Sequence, residues 1–212
     1  CANQIANLVA LNISKSPNQV IETTYIYDGE SIEVMCDNTS MILGERLVGD
    51  FFDAFPEIEI EVKVQASDRL DIDGYYYHTV DPLEEAGLIE IVVSLNDEYT
   101  KDISKVRLQN AIQSVLTHEM QHAVQRCHLG INMTQFHNAP IDHLEDLIEV
   151  DARVEEVLCD MQTSMYNVRM FKSKMMAYIH EYCKRNNVTG VNLEQIVQNH
   201  TDFYVEKILN PI

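Results

Sequence analysis

Val106-Arg107-Leu108-Gln109-Asn110-Ala111-Ile112-Gln113-Ser114-Val115-Leu116-Thr117-His118-Glu119-Met120-Gln121-His122-Ala123-Val124-Gln125 carries apolar residues at helical spacing, and no Gly or Pro interrupts residues 104 through 129. That pattern predicts a long helix. Ala111, Val115, His118 and His122 fall on one stripe of it, so the two imidazoles point where apolar side chains point and are expected to be at least partly buried. Residues four apart on an α-helix differ by only about 40° around the axis, so His118 and His122 can reach one point in space.

His118-Glu119-Met120-Gln121-His122 is H-E-x-x-H, a spacing whose chemistry is specific. Two neutral imidazoles one turn apart can hold a divalent metal, with Zn2+ the expected ion. A carboxylate beside them can take a proton from a water activated by that metal as the water attacks a carbonyl. His118 and His122 are therefore the expected ligands and Glu119 the expected general base.

Catalytic zinc normally keeps three protein ligands and one open position, so a third donor is required. His128 stands six residues after His122, the separation in H-E-x-x-H-x-x-G-x-x-H, but Gln125 occupies the glycine position. Glycine there allows the sharp turn that returns the last histidine to the metal. In a continuous helix His128 lies about 240° around from His122 and points away. The other source is the acidic segment Asp142 to Leu158, which follows Pro140 and reads as a helix. Glu149 is the choice within it, with Glu145 and other acids of the segment as alternatives.

Leu116-Thr117-His118-Glu119-Met120-Gln121-His122-Ala123-Val124-Gln125 followed by Glu149-Val150-Asp151-Ala152-Arg153 resembles the zincin metallopeptidases, in particular the glutamate-liganded branch and the metallopeptidase domains common in phage and bacterial genomes. The resemblance is carried by residues from about Gly87 to Leu158, and the H-E-x-x-H portion is its specific part. It implies a zinc-dependent peptidase with His118, His122 and Glu149 on the metal and Glu119 as base, acting on a peptide or protein substrate. It also implies a strand at the sheet edge before the active-site helix. Leu88 to Leu95 is β-branched and bounded by Gly87 and Asn96-Asp97, and fits that part; its open edge would hold an extended peptide. The alternative is a catalytically degenerate zincin that serves as a structural or interaction component of a larger assembly, such as a phage particle. Retention of Glu119 favours the enzyme.

Upstream, residues 21–27 and 31–35 flank Asp28-Gly29-Glu30 as a hairpin, and Ile58 to Val64 alternates with period two. A helix is expected over Ser40 to Ala54, and Asp71 to His78 reads as a hairpin arm with Asp71-Ile72-Asp73-Gly74 as a turn. After Asp142 the pattern is helical almost to the end. The fold class is α+β and zincin-like: a small N-terminal mixed sheet, then the active-site helix and C-terminal helices. With 212 residues and no linker or repeat, one domain spanning 1–212 is the simplest organisation, sheet-rich over 1–100 and helical over 101–212.

A formal net charge of −19 excludes simple electrostatic binding to nucleic acid or an anionic membrane. The five cysteines, Cys1, Cys36, Cys127, Cys159 and Cys183, include no C-x-x-C pair and leave an odd count, which points to a reducing compartment. With neither a signal-peptide pattern nor a membrane-spanning apolar stretch in the given chain, a cytoplasmic or virion-associated protein is expected. The chain begins with Cys1, as a processed product or a piece of a longer protein would. The oxyanion-stabilising group is not fixed by spacing; Tyr99, His137, His143 and Arg153 are the candidates.

Overall fold

The computed structural model describes residues 2–15, 22–27, 31–36, 39–45, 58–78, 87–96, 104–129, 140–161 and 167–209. The chain is α+β and divides into two compact units, Cys1–His128 and Leu129–Ile212.

The first unit is built on a six-stranded mixed sheet. Its strands are β1 (Thr23–Tyr27), β2 (Ser31–Cys36), β3 (Thr39–Glu45), β4 (Ile58–Ala66), β5 (Asp71–His78) and β6 (Gly87–Leu95), in the spatial order β3-β2-β1-β4-β6-β5. Neighbours pair antiparallel except β4 and β6, which are parallel. Period-two alternation sorts the faces: in β4, Ile58, Ile60, Val62 and Val64 are buried while Glu59, Glu61 and Lys63 lie on the other side. Register extends these into rows across the sheet, among them Tyr27–Ile60–Ile89–Tyr76 and Tyr25–Val62–Ile91–Gly74. On the opposite face Glu61 and Glu90 are direct partners across the parallel pair, a like-charge contact that Lys63 relieves by bridging both carboxylates.

Two helices of this unit, α1 (Ala2–Ser14) and α2 (Lys105–Leu129), supply the rest of its core. Ile5, Ala6, Val9 and Ala10 of α1 join Leu108, Ile112, Leu116, Met120 and Ala123 of α2 against the buried sheet residues. Burying side chains of this size stabilises by roughly 1.5–3 kcal/mol each, which makes the two apolar stripes the strongest constraint on how the helices lie. Ser104 caps α2, its hydroxyl oxygen accepting from the Arg107 N–H at 3.2 Å.

Three sequence expectations change here. Leu88–Leu95 forms β6 but does not lie at the sheet edge: it is flanked by β4 and β5, and among the described residues β5 is the terminal strand on that side. Asp71-Ile72-Asp73-Gly74 is not a turn, because Asp71 and Gly74 pair in register with Ser94 and Ile91. The start of the helix expected over Ser40–Ala54 is instead β3, whose Met41 and Ile42 pair with Val34 and Glu33; residues 46–54 lie outside the described ones. A short apolar run has no period that separates helix from strand, and the available partner β2 decides it. The Asp28-Gly29-Glu30 turn also lies outside the described residues, although both of its strands are present.

The second unit is helical: α3 (Pro140–Glu145), α4 (Leu147–Met161), α5 (Val168–Arg185) and α6 (Leu193–Leu209). Asp146 separates α3 from α4 and accepts the Ile148 N–H at 2.8 Å, while Asn167 and Asn192 cap α5 and α6 in the same way. Its core is Val150, Val154, Val157, Phe171, Met175, Ile179, Ile196, Val197 and Tyr204, with the Phe171 and Tyr204 rings stacked at 4.2 Å. Lys207 of α6 joins Asp151 and Glu155 of α4, each at 2.6 Å. Among the described residues no helix is long and apolar enough to cross a membrane.

His200 is fully buried in this core. Its Nδ1–H donates to the Ile196 carbonyl at 2.9 Å, which leaves Nε2 to accept from Arg153 Nη1 at 3.4 Å. Burial first, then the Arg153 charge, lowers its pKa to about 4 against a partial rise from the Ile196 bond. Between pH 6.5 and 4 the unfolded chain therefore binds the extra proton, and stability falls with acidification by up to about 3 kcal/mol from this group. Denaturant unfolding of the full chain at pH 7 and pH 4.5 is expected to show a smaller acid-induced loss in His200→Gln than in the wild type.

Candidate metal centre

Helix α2 delivers its polar residues to one place because its other side is fixed by Leu108, Ile112, Leu116, Met120 and Ala123 in the core. His118 and His122 are 8% and 5% exposed, which confirms the burial expected from their stripe. The rings meet edge to face at 4.8 Å, with the two Nε2 atoms 3.1 Å apart. Two nitrogens bound to one tetrahedral zinc at 2.0–2.1 Å stand about 3.3 Å from each other. The pair is thus already near the spacing that a shared cation requires.

Gln125 fixes which nitrogen of His122 can serve. Its Oε1 lies 2.9 Å from His122 Nδ1, and an amide oxygen only accepts. The proton of the neutral ring is therefore on Nδ1, and the Nε2 lone pair faces His118. Orientation of a ligating histidine through its other nitrogen is the usual outer-shell arrangement of metal sites. Gln125 is 1% exposed, so the bond is protected from water. Sequence reasoning met Gln125 as a substitute for a turn glycine and missed this role, although a spacing of three on a helix was the available signal.

Glu119, the expected base, is 6% exposed and lies against β5 at Gly74. Glu149 stands in the first turn of α4 with its side chain 12% exposed. Its Oε2 is 3.1 Å from His143 Nδ1 and 3.7 Å from Arg153 Nη2, so both groups approach the same carboxylate oxygen. Arg153, 1% exposed, also donates to the His143 carbonyl from both terminal nitrogens at 3.4 Å and packs on the Tyr178 and Tyr182 rings.

His118 and His122 are a buried pair of imidazoles on one helix of the first unit that could hold a metal ion, and Glu149, the third ligand expected from the sequence, stands on α4 of the second unit. Two imidazole nitrogens are a donor pair suited to a metal ion, and both rings are buried enough to need a cation or hydrogen-bond partner. The backbone makes no turn at Gln125, since α2 runs on through His128 to Leu129, so the metzincin-like geometry is absent; the His128 side chain lies outside the described ones. Of the oxyanion candidates, Tyr99 and His137 lie outside the described residues, whereas His143 and Arg153 both engage Glu149. Comparison of the chain with protein-family models, curated proteins and solved structures finds no match.

Replacing Gln125 by Leu removes the acceptor on His122 Nδ1 while keeping the side chain's bulk. Outer-shell losses of this kind weaken metal binding by about 10–100-fold. Zinc affinity of Gln125→Leu, measured by competition with a chromophoric chelator, is expected to fall in that range while the far-ultraviolet circular dichroism is unchanged.

Proposed function

We propose that this chain is a zinc-dependent peptidase of the zincin type, with His118, His122 and Glu149 as metal ligands and Glu119 as general base. The observation that carries the reading is the buried pair of imidazoles with converging Nε2 atoms, on the same helix as Glu119. Zinc bound there would supply Lewis acidity toward water and toward a substrate carbonyl.

Glu119 takes the proton from the attacking water and delivers it to the departing amine, which converts a poor leaving group into a neutral one. Its low exposure limits competition from bulk solvent and strengthens its interaction with a nearby cation. Gln125 holds His122 in the tautomer that can ligate, and His143 with Arg153 holds Glu149 in place. The terminal strand β5 takes over the role first expected of β6: it lies beside Glu119, and an extended peptide could add to it by main-chain hydrogen bonds. Peptide or protein substrates follow from that arrangement.

The test is zinc content by elemental analysis together with cleavage of internally quenched peptides. The wild type is expected to bind one zinc and to cleave; His122→Ala and Glu149→Ala lose or weaken the metal. Glu119→Gln keeps the metal and loses hydrolysis by about 100- to 10,000-fold, the range of general base catalysis. A wild-type chain that takes up no zinc overturns the reading.

A further inference from the structure

Gly74 lies within β5, paired with Ile91 of β6, on the face of the sheet that carries Ile72 and Tyr76. A glycine inside a strand weakens it, so its presence needs a reason. Backbone conformation is not the reason, because among the described residues the glycine at positive φ is Gly190. Space is. A β-carbon at position 74 would stand 2.6 Å from Val115 Cγ1, 2.7 Å from Glu119 Oε1 and 2.8 Å from Glu119 Cγ. A β-carbon does not stand that close to an unbonded heavy atom, so a side chain at 74 must displace both neighbours.

The two neighbours differ in how they can respond. Val115 is β-branched, held at χ1 by its helix and packed against the core, so it has little freedom to move. Glu119 has the longer and more flexible side chain, so its carboxylate travels further than the Val115 methyl when both give way. We infer that Gly74 is a positioning residue for Glu119: the missing side chain makes a slot in which the carboxylate rests against the backbone of the terminal strand. This inference rests on the peptidase reading in assigning Glu119 the proton transfer. The contact itself does not. In the slot, Glu119 lies beside the peptide groups along which an extended substrate would run, and a carboxylate moved out by about 1 Å transfers its proton less well by on the order of 100-fold.

The experiment compares wild type, Gly74→Ala, Val115→Ala and the double variant for zinc content, kcat and KM on internally quenched peptides. Gly74→Ala is expected to retain one zinc and a KM within about twofold while kcat falls on the order of 100-fold. Val115→Ala is expected not to restore it. Wild-type kcat in Gly74→Ala, or full restoration by Val115→Ala, overturns the inference, the latter because it assigns the loss to core packing. If the wild type proves to have no peptidase activity, thermal unfolding still decides the slot. Gly74→Ala then lowers Tm more in the wild-type background than in Glu119→Ala, and equal drops in both backgrounds overturn it.

Discussion

Four polar side chains on two turns of α2, His118, Glu119, His122 and Gln125, are buried in a unit whose other buried side chains, among the described residues, are apolar apart from Ser94. Each would cost about 1–3 kcal/mol if buried without a partner, so the first unit is arranged to supply partners and to hold them in place. His122 finds Gln125 on one ring nitrogen and His118 on the other. The apolar stripe from Leu108 to Ala123 fixes the helix rotation, and at 100° per residue that choice leaves the polar stripe no freedom. The location of the candidate metal centre is in this sense a by-product of core packing.

The second unit handles a buried cation by the same means. Arg153 is almost wholly enclosed, and its donors are directed at the His143 carbonyl, His200 Nε2 and the Glu149 carboxylate, with tyrosine rings flanking the guanidinium. Buried charge networks contribute less to net stability than to geometry, because desolvation offsets much of their attraction. What this network secures is orientation. Glu149 is near the start of α4, and the Arg153 charge draws its carboxylate toward the guanidinium and His143. His200 must stay neutral for the arrangement to hold, which its burial and its position beside Arg153 both favour.

Local signals in the sequence marked the elements and left their neighbours open. Alternation identified β4, β-branched content between turn signals identified β6, and helical spacing identified α2 and the C-terminal helices. The order of strands is a non-local property: alternation shows that Leu88–Leu95 is a strand with a buried face, yet two neighbours or one produce the same pattern, so its interior place could not be read. Helix α1 had a signal, with Ile5 and Val9 one turn apart and Ala6 and Ala10 beside them, that a reading centred on the H-E-x-x-H helix passed over. Gly74 was read as a turn because glycine after two aspartates usually is one. Its role is set by residues 115 and 119, some forty positions away, and no local pattern carries that.

Position 125 illustrates how one residue can select between two ways of completing a metal site. A glycine there would free the backbone to turn and return the residue at 128 toward the histidines, so that one segment could furnish three ligands. Glutamine keeps the helix running to Leu129, which by helical geometry carries position 128 about 240° around from His122. The same glutamine then uses its amide on His122 Nδ1, so the residue that closes the first route stabilises the ligand common to both. A third donor must in that case come from a separate helix. Glu149, the third ligand proposed above, stands in the first turn of such a helix beside His143 and Arg153.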